Sequence, residues 1–186
     1  INECVYSIAN AVYETDDLDS LYKEIHYSLS HITDTHNFYI ALVDWKTKIV
    51  TFPYFIDEKD KKPNNKTMGK GLIEYVLNNG KSILLNNQNF KSFVKDNNIY
   101  IIGSHCKNWL GAPLKLINGK IMGMIAVQSY NENDIFDQFD EKILIFISNQ
   151  IAMAIRKKTN EIDMHNQAHY DQLTGLTNKG LFNDRL

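Results

Sequence analysis

The chain has 186 residues and a formal net charge of −2, with 44 % hydrophobic and 23 % charged side chains. This length suits one packed domain with an extension, and the composition is far from that of a disordered chain. Acids and bases are mixed without a long basic run, which argues against a nucleic-acid partner.

Ile1, Val5, Ile8 and Val12 recur at helical spacing and predict an N-terminal helix over residues 1–15 with a narrow apolar stripe. Thr15-Asp16-Asp17 breaks it and supplies short acceptor side chains to cap the next helix. That second helix carries Leu18, Leu21, Tyr22, Ile25, Leu29 and Ile32 on one face. Phe38 to Val43 and Lys48 to Phe52 read as strands joined by a polar turn. The charged stretch from Asp57 to Lys66 reads as a loop. Leu72 to Leu77 is a short helix stopped by Asn79-Gly80, and Ser82 to Leu85 a short strand. Ala112 to Ile117 and Lys120 to Tyr130 form a hairpin whose Asn118-Gly119 link predicts a type I′ turn. After Asp134 a long helix begins, with Phe139, Ile143, Ile147, Ile151 and Ile155 four residues apart and Leu144, Ile145 and Phe146 beside them. Its first half should be well buried, and beyond Arg156 it turns polar and continues as a linker helix over 157–170. Tight turns between adjacent strands imply an antiparallel sheet, so the class is α+β, with the terminal helices packed on one face.

Several stretches in this order resemble a GAF domain: Asn37 to Asp44, Phe52 to Glu58, Gly71 to Leu77, Trp109 to Leu114 and Ile121 to Tyr130. The resemblance covers about residues 16 to 156. It implies a central antiparallel sheet, a long C-terminal helix and a small-molecule pocket over one sheet face. Asp171-Gln-Leu-Thr-Gly-Leu-Thr-Asn178 is similar to the run that opens GGDEF domains, the cyclases that make cyclic di-GMP from two GTP. Asp171, Leu173, Thr174, Gly175, Leu176 and Asn178 match that run. Lys179 replaces its usual Arg, offering charge without a planar bidentate fork. Residues 171–186 then read as the start of such a domain. Mg²⁺ and GTP belong to its catalytic part, whose metal-binding carboxylates are expected beyond Leu186. This sequence alone is expected to make no cyclic di-GMP and to hold no cofactor or metal.

For the pocket, Phe52, Tyr54, Tyr75, His105, Cys106 and Trp109 are the candidate ligand-binding residues. Aromatic rings with polar tips give apolar area and a few directional contacts; the alternative is ordinary core packing. Bilin-binding relatives carry Cys followed by His, the reverse of His105-Cys106, which argues against a covalent bilin. His31 and His36 are too poorly spaced to share a helix face as metal ligands. Phe136, Asp140 and Glu141 match part of a cyclic-nucleotide pattern, but Glu132 stands where that pattern has Lys, and the two acids also suit a helix start. Only two cysteines, Cys4 and Cys106, are present, too few for a disulfide framework or a zinc site. A thiol-based methionine sulfoxide reductase would need them to converge on the pocket.

The expectation is a cytoplasmic sensor that controls a diguanylate cyclase through the linker helix, in response to an unidentified small molecule. No run is long enough to span a membrane, so no membrane contact is expected. The rival readings are a ligand-free dimerisation scaffold and a free-standing enzyme. The stripes through Ile1, Val5, Ile8 and Val12 and through Ile151, Ile155 and Ile162 lack an obvious partner within one domain and predict a parallel homodimer.

Overall fold

Short acceptor side chains punctuate the N-terminal half, and the first two helices stop and start on them. The computed structural model describes residues 1–133 and 135–169. Helix α1 (Asn2–Glu14) ends at Thr15, whose hydroxyl donates to the Ala11 carbonyl at 2.6 Å. Helix α2 (Leu18–Ser30) begins at Asp17, whose carboxylate accepts from the Ser20 amide at 2.7 Å, as the acidic break predicts.

Strands β1 (Phe38–Asp44), β2 (Ile49–Ile56), β3 (Lys66–Thr67), β4 (Ile83–Leu85), β5 (Asn108–Lys115) and β6 (Ile121–Ser129) form one sheet. Its order is β3-β2-β1-β6-β5-β4, every pair antiparallel. Between them lie α3 (Leu72–Asn79) and α4 (Phe90–Asp96), and α5 (Gln138–His169) closes the described chain. The architecture is the α+β one the sequence implies. The stretch read as a loop from Asp57 ends in β3, where Lys66 pairs with Val50, and α4 is an addition.

Because successive strand residues point to opposite faces, the sheet sorts its side chains into two cores. Phe38, Ile40, Leu110, Ala112, Leu114, Ile125 and Val127 face α1, α2 and α5. Tyr39, Ala41, Trp109, Met124 and Ala126 face α3, α4 and the long connections. We call these the helix face and the loop face.

Three expectations are corrected. The turn between β5 and β6 is not type I′: Gly119 has φ 80°, while Asn118 is not left-handed. The Gly119 amide donates to the Leu116 carbonyl at 2.8 Å, and the Leu116 amide to the Lys120 carbonyl at 2.9 Å. This is a three-residue loop with a glycine bulge, which requires one positive φ rather than two.

The first half of α5 is not buried all round. Ile143, Leu144, Ile147, Ile151 and Ile155 are buried, but Phe139 is 64 % exposed, and Ile145, Phe146 and Met153 also face outward. Steps of four residues advance about 40° beyond a full turn, so a run beginning at Phe139 rotates relative to the sheet.

The N-terminal stripe does have a partner within the domain. Ile8 and Val12 are buried in the same core as Ile151 and Ile155. The buried Lys158 joins the same helices, its ammonium donating to the Val12 carbonyl at 3.1 Å and to the Thr15 carbonyl. These carbonyls end α1, where a cation suits the helix dipole. Among the described residues no helix is long and apolar enough to cross a membrane.

Candidate ligand-binding site

On the loop face, α3 and α4 leave part of the sheet to the connections after β2 and α4, and a cleft of about 240 Å³ opens there. Tyr39, Phe52 and Phe55 form its aromatic wall. The Tyr39 and Phe55 rings stack at 5.6 Å, and Phe52 meets Phe55 edge-on at 6.5 Å. Ile73 and Ile102 add aliphatic surface, and Lys66, Ser104 and Gln128 supply polar groups. A deeper recess shares Tyr39, Lys66 and Gln128 and reaches Cys106 and Trp109.

Three carboxylates organise the surround. Glu74, buried in the first turn of α3, accepts from the Lys66 ammonium at 2.8 Å and from the Gly69 and Gly71 amides at 3.3 and 3.0 Å. Burial disfavours its charge, but Lys66 and the backbone donors outweigh that and hold its carboxyl below the usual Glu range. Asp60 accepts from both the amide and the hydroxyl of Ser104 at 2.8 Å, fastening the connection after α4. Asp57 accepts from the Gln128 amide at 2.6 Å and the Tyr130 hydroxyl at 2.9 Å. Burial, reinforced by Asp57, pushes the Tyr130 hydroxyl far up.

The six residues expected in a pocket divide. Phe52 lines the cleft, and Cys106 and Trp109 line the recess. The Trp109 indole donates to the Tyr39 hydroxyl at 3.1 Å. Gly111, on the same face, makes room for its ring: a Cβ there would lie 2.2 Å from the indole. Burial pushes the Cys106 thiol up to about 12, so it remains protonated and a weak nucleophile near neutral pH. Tyr54 is on the other face, its hydroxyl 2.9 Å from Nδ1 of His26. The reason is a bulge: Ile40 pairs with Tyr54 but Leu42 with Thr51, so β2 carries one extra residue around Pro53, and side-chain parity flips. Tyr75 packs edge-on against Phe93 at 5.1 Å, outside the cleft. His105 is exposed, and its ring lies 5.0 Å from Phe90.

Sequence reasoning missed Tyr39, Phe55, Lys66 and Gln128. Alternation along Phe38 to Val43 and Ile121 to Tyr130 signals which residues share Trp109's face; Phe55 is hidden by the bulge, and Lys66 lies in a stretch read as loop.

The other residues weighed in the sequence take the following positions. Cys4 lies in the helix-face core and Cys106 in the loop-face core, so the sheet separates the two thiols and no pair converges. Among the described residues no cluster of His, Cys, Asp or Glu is placed to hold a metal. His31 closes α2 against the Tyr27 carbonyl, and His36 pairs with Asp34. Asp140 accepts from the Asp137 amide at the start of α5, Glu141 takes the Ser82 hydroxyl, and Glu132 pairs with Lys107. The Asp171 to Lys179 motif lies outside the described residues.

The sequence profile described as GAF domain matches residues 15–156. No curated protein sequence matches the chain. Among solved structures, the GAF domain of a phosphoenolpyruvate-protein phosphotransferase from Coxiella burnetii is similar at 14% identity and a TM-score of 0.68, over 87% of this chain and 96% of that one. A methyl-accepting chemotaxis protein is similar at 13% identity and a TM-score of 0.67, covering 83% and 98%. A free methionine-R-sulfoxide reductase from Neisseria meningitidis, solved with its substrate, is similar at 15% identity and a TM-score of 0.65, covering 86% and 90%. At these identities the likeness concerns the fold.

Proposed function

The chain belongs to the GAF domain family, which includes regulatory ligand-sensing domains of signalling proteins, and from that premise we propose that residues 16–156 bind a small molecule in the loop-face cleft and thereby regulate a diguanylate cyclase. The observation that carries this reading is the contrast across the sheet. One face is closed by three helices, and the other holds an aromatic cleft edged with polar groups. The cyclase rests on the Asp171 to Lys179 motif, and the linker helix on the extension of α5 to His169. Mg²⁺ and two GTP are then the needs of that output domain, and the cytoplasm its compartment.

For occupancy to act on output, the ligand must bind one arrangement of cleft and helices better than another. The sheet between them is shared: Tyr39 faces the cleft while its neighbours Phe38 and Ile40 face the helices. A homodimer supplies the second catalytic domain that cyclic di-GMP synthesis needs. Its seam moves from the buried stripes to exposed ones: Phe139, Phe146 and Met153 stand seven residues apart on α5, and Tyr6 and Tyr13 seven apart on α1.

The test has two parts. A ligand found by thermal unfolding should stabilise the protein by about 2.7 kcal/mol at a hundred times its Kd, and Ile73→Trp, which fills the cleft, should abolish that shift. A chimera placing this chain ahead of a GGDEF catalytic domain should then change its cyclic di-GMP output with the same ligand. Stabilisation that survives Ile73→Trp contradicts the cleft, and unchanged output contradicts the regulatory role.

A further inference from the structure

A count of donors and acceptors around the cleft leaves a specific remainder. All three carboxylates are occupied by internal donors: Asp57 by Gln128 and Tyr130, Asp60 by Ser104, and Glu74 by Lys66 and two backbone amides. Asp57 and Asp60 accept only from neutral donors and keep their charge, and the cleft sets Lys61 and Lys66 beside Asp60. Unused donors face the cleft as well. Tyr39 is 94 % buried by its 6 % exposure, and its hydroxyl accepts from the Trp109 indole. An indole N–H only donates, so the hydroxyl's own proton must go elsewhere, and among the described residues it has no acceptor. Lys66 carries three N–H groups and directs one to Glu74. Both side chains line the cleft and the deeper recess.

Gln128 gives the complementary remainder. Its amide nitrogen donates to Asp57 and Tyr130, at 2.6 and 3.0 Å, which uses both N–H groups and leaves the carbonyl oxygen without a partner among the described residues. A buried donor left unmade keeps its desolvation cost, so a ligand that accepts from Tyr39 recovers energy that an apolar ligand does not. The aromatic wall of Tyr39, Phe52 and Phe55 favours a flat apolar body. At about 240 Å³ the cleft is below the usual range for drug-sized ligands and suits a single-ring molecule.

We infer that the cleft takes a small flat carboxylate, whose oxygens accept from the Tyr39 hydroxyl and the Lys66 ammonium while its ring lies on the aromatic wall. This inference rests on the ligand-sensing reading above and names the chemical class of that ligand. An amine of the same skeleton leaves the Tyr39 hydroxyl proton and the spare Lys66 N–H groups unmatched and brings its ammonium beside Lys61 and Lys66.

The two tryptophans provide the readout. The Trp109 indole N–H bonds to Tyr39 in the site, whereas that of Trp45 bonds to the Ile121 carbonyl at 2.6 Å and lines no part of the cleft. Sodium benzoate, benzamide and benzylamine hydrochloride are titrated into ¹⁵N-labelled protein while both indole N–H signals are followed. Benzoate should move the Trp109 signal saturably and leave Trp45 in place, with an affinity about tenfold or more above that of benzylamine, a difference of about 1.4 kcal/mol. Tyr39→Phe should remove most of benzoate's advantage over benzamide, with an unmoved Trp45 signal showing that the fold persists. If benzylamine or benzamide moves Trp109 as tightly as benzoate, the carboxylate class is wrong while the ligand-binding reading stands. If none of the three moves Trp109, the ligand-binding reading falls with it.

Discussion

The two faces of the sheet are built from the same strands yet differ in kind. On the helix face, Ile40, Leu110, Leu114, Ile125 and Val127 meet Ile8, Leu21, Ile25, Ile147 and Ile151, side chains with no polar atom to satisfy. On the loop face, Tyr39, Phe52 and Trp109 share space with Glu74, Asp60 and Lys66, and their positions depend on hydrogen bonds. Area burial is non-directional and tolerates no gap once packed. A polar network is directional and responds to one added or missing partner. The helix face therefore stabilises the domain, and the loop face is where the proposed small molecule would act.

The largest effect that separates the faces is expected from Ile25→Ala on α2, where the side chain is fully buried. It should cost about 2–5 kcal/mol in urea unfolding. Ile73→Ala beside the cleft should cost markedly less, because Ile73 is only half-buried and faces existing open space. Equal losses would remove the distinction.

Glu74→Gln probes the loop face through pH. The folded carboxyl is held below its ordinary range, so its contribution is present above about pH 4.3 and is lost as pH falls through the lower folded value. The variant should be about 1.5–3 kcal/mol less stable than the natural chain at neutral pH, with the gap closing on acidification. A gap that is constant from pH 7 down to pH 3 contradicts the role of the charge.

The smallest effect belongs to neither face. Gly119→Val places a β-branched residue at φ 80° with nothing within 4 Å of its Cβ, so the cost is backbone strain alone, about 1 kcal/mol. An unchanged melting temperature would mean that the turn readily adopts another shape.

These contrasts also explain what the sequence disclosed. The helix face was legible because its residues follow simple periods: Leu18, Leu21, Ile25 and Leu29 along α2, and Ile143, Ile147, Ile151 and Ile155 along α5. The hairpin's Asn118-Gly119 was found, but the count of positive-φ residues depends on loop length, which composition leaves open. The site was less legible. Trp109 and Cys106 could be singled out because one lies in the apolar strand β5 and the other just before it. Tyr54 was misplaced because one extra residue in β2 reverses side-chain parity, and Tyr39 and Gln128 were missed because both lie inside runs that read as core. Their role rests on which donors remain unpaired, a property of assembled partners rather than of any segment.

The central claim is that ligand binding acts on the loop face while the helix face holds the fold, and amide hydrogen exchange tests it most directly. Without ligand, amides in residues 57–71 and 99–106 should exchange through local opening, far faster than those of Ile143 to Ile155 and β6, which should require near-global unfolding. Saturating benzoate should slow residues 57–74 and 99–106 and leave Leu21 to Leu29 unchanged. Uniform protection across both faces, or slowing confined to α2 and α5, would contradict the account.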